Sequence, residues 1–297
     1  MSFARFLNSP QEWTLFALTA FWGATFLVIR FAMQSCGPLW FCGLRFGMAA
    51  VIAAVAALPV LKGLTRHEFI AGSILAVSIF LGFALQTAGM TTISASKSAF
   101  ITAFYVPLVP LCEMLILRHR PGFAAWLGMA LAFPGVLLLS GVEEGMTGGM
   151  GRGEILTLLG AVAFAIEIIL VGKYAPGTDP RRLAVIELAV TSALCFLCMP
   201  LMGESPAPFS WNVVASAAGL GIASAGIQSL MLWAQRVVPP TRASIIYATE
   251  PVWGGLFGYM AGERLTIFSL AGCVLVISGV LVSGRKGAGK SRAEKSS

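Results

Sequence analysis

Ten runs of continuous apolar residues follow one another along the chain, joined only by short polar connections. They fall at about 13–32, 38–60, 69–90, 95–117, 122–141, 153–174, 181–202, 211–236, 242–261 and 266–284. A helix needs about 20 apolar residues to cross a bilayer, so each run is long enough for one crossing. The runs are continuous rather than alternating, which excludes a β-barrel. Only 11% of residues are charged, against roughly 25% in soluble domains. A soluble fold could not cover its surface with so few, so the solvent around most of this chain is lipid. The expectation is an all-α membrane protein of ten transmembrane helices.

The net charge of +7 does not point to nucleic acid, because the basic residues sit in the connections rather than on one face. If the N terminus is cytoplasmic, the inner segments hold Arg5, Lys62, Arg66, Arg118, Arg120, Lys173, Arg181, Arg182, Arg236, Arg242, Arg285, Lys286, Lys290, Arg292 and Lys295. The outer segments hold Arg30, Lys97, Arg152 and Arg264. This bias places both termini in the cytoplasm and favours an even number of crossings. No cleavable leader is expected, since the first apolar run follows a polar start without a convincing cleavage pattern. The last residues, 285–297, read as a basic, disordered cytoplasmic tail.

The halves of the chain resemble each other. Displaced by 144 positions, Pro107 falls on Pro251, Gly128 on Gly272, Gly135 on Gly279 and Val136 on Val280. Near the start of each half the displacement is 142, and Pro38 falls on Pro180 and Arg45 on Glu187. The reading is a first repeat at 1–141, a periplasmic linker at 142–152 and a second repeat at 153–284. Five crossings is an odd number, so the second unit enters the membrane from the opposite side. Two inverted five-helix repeats can open a central site first to one face and then to the other.

The four glycines are spaced to share a helix face and read as packing positions. Pro107, Pro110 and Pro251 each remove a backbone donor inside a span and are either static kinks or hinges beside the cavity. Cys36, Cys42, Cys112, Cys195, Cys198 and Cys273 lie mostly in apolar runs. The one CxxC, Cys195 and Cys198, has no second pair or nearby histidine, so these cysteines read as packing residues. His67 and His119 fall in connections. No metal site and no cofactor are expected.

Several motifs resemble a known family. FWGATF (Phe21 to Phe26), LRF (Leu44 to Phe46), YVPLVP (Tyr105 to Pro110) and GMALAFPGVLLL (Gly128 to Leu139) lie in the first half. TEPVWGGLFGYMAGERL (Thr249 to Leu265) and GCVLVISGVL (Gly272 to Leu281) lie in the second. Together they resemble the drug/metabolite transporter superfamily, in its ten-span branch built from two EamA-type repeats. The likeness covers nearly the whole chain. It implies a ten-helix inverted-repeat fold that transports, usually exports, amino acids or other small metabolites, and bacterial aromatic-amino-acid exporters belong to this branch. A bacterial inner membrane is the implied location. The first half departs from the pattern, with His119-Arg120 where the second half has Glu263-Arg264.

Charges inside spans cost about 2.5–3.5 kcal/mol each at mid-membrane and should face the bundle interior. Glu250, roughly 14 Å into its span at 1.5 Å per residue, could bind an amine, carry a proton or bond backbone groups freed by Pro251. Arg45 could receive a substrate carboxylate or hold a structural partner. Glu167 could meet a substrate amine or neutralise a cation, and Glu187 lies nearer the cytoplasmic surface. Glu113, near an inner span end, reads as structural. Gln86 and Gln228 add polar groups, while Trp22, Phe80, Phe83, Tyr105, Tyr247 and Trp253 add aromatic surface, together suiting an amphipathic zwitterion.

The expected partners are the lipid bilayer and a small-molecule substrate, an aromatic or neutral amino acid. A nucleotide-sugar or sugar-phosphate exchanger is the alternative, disfavoured because only Arg45, Arg30 and Lys97 could meet phosphate. A more distant alternative is an intramembrane enzyme, but no Ser-His-Asp set, HExxH or paired-aspartate motif occurs in the spans, so no catalytic residues are assigned. No GxxxxGK[ST] loop is present for ATP. The pattern carries no information on oligomeric state.

Overall fold

The structure is a computed structural model and describes residues 7–139, 151–253, 256 and 267–284. Among the described residues, every regular element is a helix. The first half contributes α1 (Pro10–Ala32), α2 (Pro38–Leu61), α3 (Arg66–Gly89), α4 (Ala95–Thr102), α5 (Tyr105–Ile116) and α6 (Phe123–Leu139). The second contributes α7 (Arg152–Tyr174), α8 (Pro180–Cys198), α9 (Trp211–Gln235), α10 (Pro240–Tyr247) and α11 (Ile267–Ser283), with a short 3₁₀ turn at Pro200–Met202. Five segments are long and apolar enough to cross a membrane: α2, α3, the α4–α5 stretch from Lys97, α7 and α9. Shorter apolar helices accompany them. The 142–152 linker (apart from its last two residues), the 285–297 tail and the Glu263-Arg264 pair lie outside the described residues.

Local chemistry starts the helices where the sequence changes from polar to apolar. Ser9 accepts from the Glu12 amide ahead of Pro10, and Asp179 accepts from the Arg181 amide ahead of Pro180. Thr65 and Glu68 form a reciprocal capping box at α3. Each device satisfies orphan amides at a helix start, and proline at the first turn loses no hydrogen bond.

The fourth apolar run, expected as a span at 95–117, crosses as one stretch, Lys97–Ile116, interrupted by a tightened turn at residues 103–104 between α4 and α5. A matching interruption at residues 248–249 follows α10, with helix resuming at 250–253. Proline explains the position: its ring clashes with the carbonyl four residues earlier and it offers no amide. For Pro107 that carbonyl belongs to Ala103, and for Pro251 to Tyr247. The backbone tightens there, with Val106 N donating to Ala103 O (3.0 Å) and Val252 N to Thr249 O (3.0 Å). Pro110 lies within α5, which continues past it.

Helices pack across the two halves. α2 lies on α8, α3 on α7, α1 on α9, α5 on α10 and α6 on α11. Small residues set the last contact: a side chain at Gly135 would meet Gly272 O and Val276 N at 2.8 Å, and one at Gly128 would meet Gly279 O at 2.8 Å. On α2, Ala49, Ala53 and Ala57 are buried, whereas Val51, Val55 and Leu58 are more than 60% exposed. Such an apolar outer face belongs against lipid.

Charged groups gather at the two ends of the bundle. At one end Glu12 pairs with Arg242 (3.0 Å), Glu68 with Arg182 (2.8 Å) and Glu113 with His119 (2.7 Å). Asn8 Nδ2 donates to Gly284 O at 2.9 Å there, so the start of α1 and the end of α11 share that end. At the other end Lys97 pairs with Glu154 (2.6 Å), and Glu204 accepts from the amides opening α2. α1 therefore starts at the first end and α7 at the second.

Candidate substrate cavity

A cavity of about 80 Å³ lies between the halves, beside the two helix breaks. A single water needs only about 10–15 Å³ on this kind of measure, so several waters or part of a small solute would fit. Its wall takes Trp22 and Thr25 from α1, Arg45 and Phe46 from α2, and Phe83 and Gln86 from α3. Thr102, Tyr105, Tyr247 and Glu250 come from the breaks, with Phe164, Glu167 and Ile168 from α7 and Ser224, Ile227, Gln228 and Met231 from α9. A second lobe of about 100 Å³ adjoins it, sharing Thr102, Tyr105, Tyr247 and Glu250.

Arg45 is 3% exposed. Its Nε donates to Ser224 Oγ at 2.8 Å, and its guanidinium carbon lies 5.0 Å and 4.7 Å from the ring centres of Phe46 and Phe83. Among the described residues no carboxylate forms an ion pair with it. The rings attract the cation, but they do not replace an anion.

Across the cavity, Gln228 Nε2 donates to Glu167 Oε1 and to Glu187 Oε1, each at 3.0 Å. Gln86 Nε2 donates to Thr102 Oγ1 at 2.9 Å, tying α3 to the end of α4. Thr19 and Thr249 hydroxyls meet at 3.0 Å, and Thr249 Oγ1 donates to Ile246 O at 2.7 Å, which satisfies part of the second break. Trp22 and Tyr247 rings meet edge to face at 4.9 Å, as do Phe83 and Phe164 at 5.0 Å.

Of the residues expected from sequence, the cavity gathers Trp22, Phe83, Gln86, Tyr105, Gln228, Tyr247, Glu250, Arg45 and Glu167. Phe80 does not line it; it packs on the cluster between α2 and α8. Trp253 packs against Phe16, 5.3 Å between rings, rather than on the cavity wall. Glu187 is not near a solvated surface: it is 0% exposed and stands behind Gln228. Pro251 borders the second lobe, whereas Pro107 and Pro110 border neither. Glu113 is structural in its contacts, accepting from Thr241 N, Thr241 Oγ1 and His119 at the bundle end.

Sequence reasoning missed Thr25, Phe46, Thr102, Phe164, Ile168, Ser224, Ile227 and Met231. A signal for most was present. Residues three and four apart share a helix face, so Glu167 implicates Phe164 and Gln228 implicates Ser224 and Met231. The repeat carries another signal. Displaced by 142, Trp22 falls on Phe164, Thr25 on Glu167, Arg45 on Glu187 and Gln86 on Gln228. The cavity and its immediate backing thus include matched positions, and two of these four pairs, Thr25 with Glu167 and Arg45 with Glu187, differ in charge.

A lipid-faced helical protein with aromatic walls and a few buried polar groups around a central cavity has the layout of a small-molecule carrier. The model of the EamA-like transporter family matches residues 11–141 and again 151–285. The chain belongs to the EamA-like transporter family and is a membrane-spanning transporter. It is 29% identical to an uncharacterized transporter of Archaeoglobus fulgidus over 88% of this chain and 81% of that one. It is 28% identical to the uncharacterized inner membrane transporter YedA of Escherichia coli K12, over 92% and 90% of the two chains. A solved crystal structure aligns with a TM-score of 0.74 over 92% of this chain and 94% of its own, at 16% identity, a likeness of fold alone.

Proposed function

We propose that the protein exports aromatic or other neutral amino acids by alternating access. The carrying observation is Arg45: a buried cation at the cavity wall, stacked on aromatic rings and without a carboxylate partner among the described residues. A guanidinium in that state suits a substrate carboxylate, which it can hold through paired hydrogen bonds. Glu167 and Glu250, on the same wall, suit the substrate ammonium. Trp22, Phe83, Tyr105, Phe164 and Tyr247 suit an apolar side chain. Phosphorylated sugars fit less well, because Arg45 is the one cation among the described lining residues.

Alternating access rests on the inverted repeat, of units 1–141 and 153–284. Supporting this are the family model's two matches, the paired helix breaks and the helix bounds. Displaced by 142, α1 becomes α7; displaced by 144, α6 becomes α11. The two units start at opposite ends of the bundle, as inversion requires. The positive-inside bias puts the end carrying Asn8 and Gly284 in the cytoplasm of a bacterial inner membrane.

The test is release from proteoliposomes loaded with labelled L-phenylalanine, L-tryptophan, L-threonine or L-alanine. Release above protein-free liposomes is expected for at least the aromatic members, and Arg45→Ala should abolish it. Equal release from both preparations across the panel would contradict the proposal.

A further inference from the structure

We propose that Glu167 and Glu187, bridged by Gln228, form a proton-binding pair in which Glu187 holds the proton and Glu167 keeps the negative charge that faces the cavity. The two Oε1 atoms share one amide nitrogen at 3.0 Å each, which puts them within about 6 Å of each other, the range over which like charges perturb one another strongly. Both side chains are at least 95% buried, and Glu187 Oε2 has no hydrogen-bond partner among the described residues. An unpartnered buried oxygen costs a few kcal/mol when neutral and far more when charged. One amide supplies hydrogen bonds but no positive charge, so two ionised carboxylates would stay uncompensated. A proton on Glu187 leaves a net charge of −1. Glu167 is the member on the cavity wall, so that charge lies where a substrate ammonium arrives. Gln228 Nε2 occupies the space between the carboxylates, where a metal cation would have to sit.

Among the described residues, no cation forms an ion pair with either carboxylate. α2 contributes Arg45, whose Nε donates to Ser224 and whose guanidinium lies over two rings; it forms no ion pair with Glu167 or Glu187. The breaks contribute Tyr105, Glu250 and Tyr247, the last accepting from Gln235 at 2.8 Å. α3 contributes neutral Gln86 here, its Arg66, His67 and Glu68 lying at its first turn. α4 and α5 place Lys97 against Glu154 and Glu113 against His119, and α10 places Arg242 against Glu12. α7 carries Arg152 and Lys173 at its ends, and α8 carries Arg181 and Arg182 in its first turn. α8 also carries the thiol Cys195 beside Cys42 of α2, and α9 has no charged residue.

The pair rests on the amino-acid reading for its role, but its test does not. Infrared difference spectra of the purified full chain, in a detergent without ester groups, report the carbonyl stretch of a protonated carboxylic acid directly. In a Glu250→Gln background at neutral pH that band should be present and should bleach as pH rises. Adding Glu187→Gln should remove it, whereas adding Glu167→Gln should leave it. A protein without the band at neutral pH would overturn the proposal, and so would a band that Glu187→Gln leaves intact. If Glu187→Gln does not fold, Glu187→Asp in the same background keeps the carboxyl and should shift the band, whereas an unshifted band would overturn the assignment to this residue. No substrate enters the measurement, so a negative transport result leaves this one standing.

Discussion

Arg45 concentrates the chemistry of the site in one side chain. Its charge is buried, its guanidinium lies over the rings of Phe46 and Phe83, and the side chain lines the cavity. Lysine would keep the charge and lose the planar fork and the stacking. Arg45→Lys is therefore expected to weaken L-phenylalanine binding about 10–100-fold, the worth of one charge-assisted hydrogen bond at about 1.5–3 kcal/mol. The shift of melting temperature with ligand concentration measures this. Asp179, in the connection before α8, shows the opposite use of charge. Burial works to raise its carboxyl, but bonds from the Arg181 side chain and amide, with the charges of Arg181 and Arg182, hold it below the ordinary range. A carboxyl depressed on folding contributes stability that is complete above its unfolded value, about 3.9, and is lost as pH falls through its folded value. Thermal melts should therefore fall with pH below about 4, and Asp179→Asn should flatten that fall.

Two features of the helices decide where the cavity forms. Pro107 and Pro251 break their helices at the carbonyls they would clash with, and the cavity lines up with those breaks. The glycines of α6 and α11 bring those backbones into contact. Gly135→Val, with a new carbon 2.8 Å from Gly272 O, is expected to destabilise by about 1–3 kcal/mol, as overpacking does, read as a lower detergent-melting temperature. Helix lengths, the packing role of the glycines and about half of the cavity lining were legible in the sequence, because apolar runs, buried charges and paired prolines report directly on the membrane. Pro107 and Pro251 were legible as kinks or hinges, but the position of each interruption was not, because proline disturbs the turn four residues before it rather than its own. Phe80 and Trp253 misled for a related reason: an aromatic ring announces burial without saying which side of its helix faces the cavity. Glu187 looked solvated by depth, and the helix packing that buries it is a tertiary fact.

At the scale of the whole molecule, helices of both halves line the cavity and its second lobe, and two of the matched pairs of positions differ in charge. Arg45 answers Glu187, and Thr25 answers Glu167, an asymmetry between the halves on which the proposed zwitterionic substrate rests. If the two bundles exchange conformations, the same wall must open to both sides of the membrane. Ile227→Cys, in a background with the six native cysteines replaced, places a thiol on that wall. A membrane-impermeant maleimide should label it in right-side-out and in inside-out vesicles alike, and L-phenylalanine should slow labelling from both sides. Labelling from one side only, with or without the amino acid, would contradict alternating access through this cavity.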